Sequence, residues 1–200
     1  MCIICCDSPN QSDLDQIVYL DCSGCKKVKV LPPQLPNLKF LSIYNTNINE
    51  IPAYQSLESL FCFKTPLKEI PMLPKLRKLV ANDTNIKLLP DELYRLEVAN
   101  VNNTKLVAVP STLISLRWLS ADNTDIDYIP SKLISLEWLS IKCTSVKEMP
   151  ESMISLQFLN CTGTSISDLC TDGYPMLRKL HCMDCDIDPF SFGNGLDVIA

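Results

Sequence analysis

A chain of 200 residues with 46% hydrophobic and 20% charged residues holds enough apolar material for a buried core and does not read as disordered. Its formal net charge of -5 comes without a Lys/Arg cluster, which argues against a nucleic-acid-binding face and against electrostatic docking to an anionic membrane. No apolar run reaches membrane-spanning length and no secretory leader is visible, so a cytoplasmic location is expected, with the eleven cysteines mostly as thiols.

The chain opens on MCIICC, and CSGC follows at 22–25. Cys2, Cys5, Cys22 and Cys25 therefore form two C-x-x-C pairs separated by sixteen residues, a spacing compatible with four zinc ligands. A second reading is lipidation of Cys2, Cys5 or Cys6, although no further membrane signal accompanies them. The third is apolar cover, with Ile3 and Ile4, for the open end of something longer.

From Ile17 onward the chain repeats itself. LRWLSADNTDIDYIPSKLIS (116–135) and LEWLSIKCTSVKEMPESMIS (136–155) align over 20 residues without a gap. The pattern L-x-x-L-x-h-x-x-T-x-h-x-x-h-P, with h apolar, extends in both directions. Units start at Ile17, Leu38, Leu57, Leu76, Leu96, Leu116, Leu136, Leu156 and Leu177, at spacings of 19 to 21 residues. This divides the chain into an N-terminal cap segment (1–16), nine repeats (17–188) and a C-terminal cap segment (189–200).

This pattern resembles the leucine-rich repeat over nearly the whole chain. The short unit closing on IP or LP is similar to repeats of bacterial effectors. The NT-x-I-x-x-[IL]P wording is similar to repeats of plant immune receptors and giant DNA viruses of amoebae. The resemblance implies a mostly β solenoid of the α/β type: a right-handed horseshoe with a parallel sheet on the concave side and extended or 3₁₀ segments on the convex side. The ubiquitin-ligase activity of the bacterial effectors is not carried over, because no such domain is expected beyond the array.

The residues support the same architecture. Around the second leucine of each unit, alternate side chains point in and out, as in a strand. Leu41/Ile43, Leu60/Cys62, Leu119/Ala121 and Leu139/Ile141 are expected inside. Strands stacked at ~4.8 Å give a length of roughly 40 Å, and no unit buries its apolar face without its neighbours. The ninth position carries Thr46, Thr65, Thr84, Thr104, Thr124, Thr144 and Thr164, with Cys25 and Cys185 at the two ends. A threonine hydroxyl supplies one hydrogen bond to the turn that follows each strand. Pro52, Pro71, Pro90, Pro110, Pro130 and Pro150 fix φ on the return limb.

Register also assigns the outward positions. The third position reads Tyr19, Phe40, Ser59, Lys78, Val98, Trp118, Trp138, Phe158 and Lys179. Both tryptophans of the chain stand in consecutive units, with Phe158 next and with Asp122 and Lys142 at the seventh position nearby. Toward the N-terminal end the same surface carries Phe40, Tyr44, Phe61 and Phe63. Large apolar residues on a solvent face mark a partner-binding site, and aromatic anchors dominate interfaces. Ring stacking that merely stabilises a parallel sheet is the competing reading, and the two are compatible.

Enzymatic chemistry is not expected. The one histidine, His181, is turned outward while Cys182 beside it is turned inward, so they do not form a nucleophile pair. No phosphate loop, H-E-x-x-H or G-x-S-x-G occurs, and no cofactor is expected. Cys22, Cys62, Cys161 and Cys182 fall at the inward sixth position as small hydrophobes. Cys143, at the outward eighth position, is expected to be the most reactive thiol of the array, and Cys170 stands in place of a proline. Core placement accounts for CSGC and for CMDC at 182–185 without a metal, which favours the cap reading of MCIICC.

The chain is therefore expected to be a non-enzymatic protein-interaction module, with a host protein as partner in a viral or bacterial setting. The alternative is a structural component that associates through its open solenoid ends. A monomer or a weak end-to-end dimer is the expected state.

Overall fold

The computed structural model describes residues 10–169, 171–188 and 195–200. Each unit contributes a strand of three residues, centred on its second leucine or the residue that replaces it. These are β1 (Tyr19–Asp21), β2 (Phe40–Ser42), β3 (Ser59–Phe61), β4 (Lys78–Val80), β5 (Val98–Asn100), β6 (Trp118–Ser120), β7 (Trp138–Ser140), β8 (Phe158–Asn160) and β9 (Lys179–His181). They form one parallel sheet in chain order. Pairing is in register, so Leu20, Leu41, Leu60, Leu79, Ala99, Leu119, Leu139, Leu159 and Leu180 make a single row. The result is a β-solenoid with one coil per repeat.

The C-terminal segment does more than the sequence pattern indicates. Residues Asp197–Ile199 form a tenth strand, β10, paired in parallel with β9 although no leucine repeat encodes it. At the other end, α1 (Gln11–Asp15) is capped by Asn10, whose side chain accepts from the Asp13 N–H at 3.0 Å. Leu14 of this helix packs against the core. Among the described residues, the return limbs carry one 3₁₀ turn, Thr171–Gly173, and are otherwise extended or turning. The prolines and the short unit leave no room there for an α-helix.

Inside the coil the fourth-position leucines are fully buried, and so are Ile43, Cys62, Ala81, Val101, Ala121 and Ile141 at the sixth position. Burial pushes the Cys62 thiol far above the ordinary range, so it acts as a small hydrophobe. The residue three before each new unit closes a tight turn, as in Leu96 N–H to Leu93 O at 2.9 Å. Tyr54 and Tyr174 occupy this place in two coils. Their hydroxyls donate to Pro32 O at 2.6 Å and Pro150 O at 2.8 Å, reaching the coil before.

The turn after each strand decides how the coils stack. Its eighth-position residue lies in the left-handed region: Asn45, Asp83, Asn103, Asn123 and Asp184 at φ 54–56°, Gly24 and Gly163 at 70° and 69°. Asn, Asp and Gly tolerate that conformation best. Lys64 and Cys143 adopt it too, at φ 54°, against their intrinsic preference. What holds them is lateral: the eighth-position N–H donates to the seventh-position carbonyl of the next coil. Examples are Lys64 N–H to Asn82 O at 3.1 Å and Cys143 N–H to Thr162 O at 2.9 Å. Next in the chain, the ninth-position threonine closes the turn from within. Thr46, Thr84, Thr104, Thr124, Thr144 and Thr164 each donate Oγ1–H to their own sixth-position carbonyl at 2.7 Å, and Thr65 does so at 2.5 Å.

These threonines are buried, so a missing hydroxyl leaves a carbonyl unpaired in the core. Thr104→Val, nearly isosteric, is expected to lower unfolding free energy by about 1–3 kcal/mol in urea titration, whereas Thr104→Ser retains most of it. Equal stability of the valine variant and the parent would show that the hydroxyl row does not hold the turns.

Candidate functional site

The open face of the sheet displays positions three, five and seven of every coil. In-register pairing sets Trp118 beside Trp138 and Trp138 beside Phe158. The rings respond by stacking: centroids 4.4 Å apart at 10° for the two indoles, and 4.9 Å at 5° for Trp138 and Phe158. His181 closes the row edge-on against Phe158 at 5.1 Å and 70°. All four side chains are half-buried, because each covers its neighbour. The stacking and the exposed display are thus one arrangement, and the outer edges of the rings remain open to solvent.

The N-terminal aromatic group is built differently. Tyr19 stacks on Phe40 at 4.2 Å and Tyr44 on Phe63 at 4.5 Å. The third position of the next coil is Ser59, so Phe40 meets Phe61 of the fifth position instead, at 5.3 Å and 36°. Lys78 then sets its ammonium 5.2 Å from the Phe61 ring centre, a cation–π contact that ends the group. Val98, Asn82, Asn100 and Asn102 separate it from the tryptophans, so the aromatic candidates form two clusters.

Asp122 and Lys142 do not behave alike. Asp122 Oδ1 accepts from Ser140 Oγ at 2.5 Å and from the Lys142 N–H at 2.9 Å, and its own N–H donates to Asn102 Oδ1 at 2.7 Å. Through these bonds it joins three consecutive coils. Lys142 is exposed, four residues past Trp138 in the same coil. Thr162 Oγ1 and His181 Nε2 are buried atoms without a hydrogen-bond partner.

One column escaped the sequence reading. The second position alternates in sign across six coils: Lys39, Glu58, Arg77, Glu97, Arg117, Glu137. Its residues pair across coils, Lys39 to Glu58 at 3.2 Å, Arg77 to Glu97 at 3.0 Å, and Arg117 to Glu137. Its signal in the sequence is the change of sign at the second position from each unit to the next. These exposed pairs add little stability individually. They do leave the border of the aromatic row electrically balanced.

Cys22, Cys62, Cys161 and Cys182 are buried and Cys143 is exposed, as their register implies. Cys2, Cys5, Cys6 and Cys170 lie outside the described residues. Among the described residues no three His, Cys, Asp or Glu side chains converge as a metal site would require. A concavity of about 860 Å³ is formed on the return limb by residues including Lys68, Leu88, Pro90 and Lys105, away from the aromatic face.

With this geometry the chain is similar to several solved structures. InlJ from Listeria monocytogenes, described as a functional domain that includes a cysteine ladder, superposes at TM-score 0.83 with 18% identity over 96% of this chain and 45% of its own. YopM from Yersinia enterocolitica superposes at 0.73 with 25% identity over 92% and 42%. A plant peptide hormone receptor, RGFR1 in complex with RGF2, superposes at 0.72 with 20% identity over 86% and 34%. The chain spans less than half the length of these three proteins. No protein-family profile and no curated protein matches it. The fold is that of the leucine-rich-repeat solenoid, with about nine turns of ~20 residues in one parallel sheet.

Trp138 is stacked on both sides and Trp118 on one. Trp138→Ala is therefore expected to cost about 1 kcal/mol more than Trp118→Ala in urea unfolding, the worth of one aromatic pair. Equal losses would mean that the stack adds nothing beyond area burial.

Proposed function

We propose that this chain is a non-enzymatic protein-interaction module that engages one protein partner on the open, concave face of its sheet. The observation that carries the reading is the continuous half-exposed row Trp118–Trp138–Phe158. Rings held in place by their neighbours lose little entropy on binding, which is what makes aromatic anchors effective. The Phe40, Tyr44, Phe61 and Phe63 cluster supplies a second contact area on the same face. The similar solenoids solved in complexes, the plant receptor with RGF2 and an FLRT2 leucine-rich-repeat domain in an octameric assembly with Latrophilin 3 and Unc5D, support protein recognition by this fold. We place the module in the cytoplasm, the host's if the source is a virus, with a host protein as its target if the source is a virus or a bacterium.

Affinity purification from the relevant cell, using the wild type and the Trp118→Ala/Trp138→Ala variant side by side, tests this. The double variant is expected to retain the solenoid's circular dichroism and to capture the partner at least about tenfold less well. Undiminished capture by a folded double variant overturns the assignment of the face.

A further inference from the structure

The ninth position of the last coil departs from the rule of the array. In the seven threonine coils the ninth-position side chain donates to its own sixth-position carbonyl. Cys185 instead directs its S–H to the carbonyl of Cys161, one coil back, at 2.8 Å. Its sulfur stands 4.0 Å from Cys161 Sγ and 3.5 Å from Thr164 Oγ1. A disulfide needs sulfurs about 2.05 Å apart, so roughly 2 Å of closure is required. Cys185 is half-buried and sits in the last repeat coil, while Cys161 is fixed in the core.

We propose that Cys161 and Cys185 form an oxidisable thiol pair that closes to a disulfide and ties the ninth coil to the eighth. The half-exposed Cys185 is the sulfur a small-molecule disulfide reaches first. Its thiolate attacks one sulfur of that oxidant, forming a mixed disulfide and expelling one small thiolate. The Cys161 thiolate then attacks Cys185 Sγ and expels the second. Two protein thiols are oxidised, and the oxidant leaves as two thiols that carry away both protons. Burial first, and then the adjacent Cys185, raises the Cys161 thiol well above its ordinary range, which makes the second step the slow one. Cys182 competes for the same partner along CMDC, but the sulfur that stands 4.0 Å from Cys185 Sγ is that of Cys161. Closure would stiffen β9, which holds His181 against Phe158 at the end of the aromatic row.

The substitutions needed to test this already occur in the array. Ala81 and Ala121 fill the sixth position, and threonine fills the ninth. The folded full chain is incubated with oxidised glutathione without denaturant, digested unreduced, and sequenced by mass spectrometry. A Cys161–Cys185 linked peptide is expected as the main product of Cys185, preceded by its glutathione adduct. Cys161→Ala should stop at that adduct, Cys182→Ala should leave the link intact, and Cys185→Thr should abolish both. Amide exchange of Lys179–His181 should slow in the linked wild type and stay unchanged in Cys185→Thr. Linkage of Cys185 to Cys182, a glutathione adduct persisting at Cys185 of the wild type, or unchanged exchange at β9 after linkage would each overturn the proposal.

Discussion

Everything in this molecule depends on in-register parallel pairing between consecutive coils. Three strand residues per unit are too few to define a sheet alone. The lateral bonds therefore run past each strand into the turn, where the eighth-position N–H still finds a carbonyl on the next coil. Because the pairing never slips, a side chain faces its equivalent in the next repeat at nearly every position. Leucine rows, threonine rows, aromatic rows and alternating charges are consequences of that one constraint.

The turn is where the constraint meets the limits of local preference. Most coils use a residue suited to the left-handed region, and Lys64 and Cys143 show that lateral bonding overrides local cost when the residue is not suited. The threonine hydroxyl does the complementary work from inside, pairing a carbonyl that water does not reach. Cys185 marks where this scheme ends: with a thiol in place of the hydroxyl, the side chain turns to the neighbouring coil, and a structural position becomes a chemical one.

Much of the fold was legible in the residues. The second leucine marks every strand through β9 except β5, where Ala99 takes its place, and the inward fate of Leu139 and Ile141 follows from counting by two. The outward display of Trp118, Trp138 and Phe158 was equally plain. Strand β10 was not legible, because Asp197–Ile199 carries no repeat motif and pairs only because β9 offers an edge. The contact of Phe40 with Phe61 was hidden as well, since it depends on the gap that Ser59 leaves. Asp122 was legible as an outward residue of the candidate binding face, whereas its bonds to Ser140 and Lys142 across the coil boundary were not.

By itself the sequence determined the period, the register and the inside or outside address of each side chain, because these follow from spacing along the chain. Only the tertiary structure decided what stands across each coil boundary: rings stacked within 5 Å on the open face, a charge column neutralised pair by pair, two sulfurs 4.0 Å apart. The reason is physical. An address needs only the repeat length, whereas a contact between coils depends on rotamers and on the space each neighbour leaves.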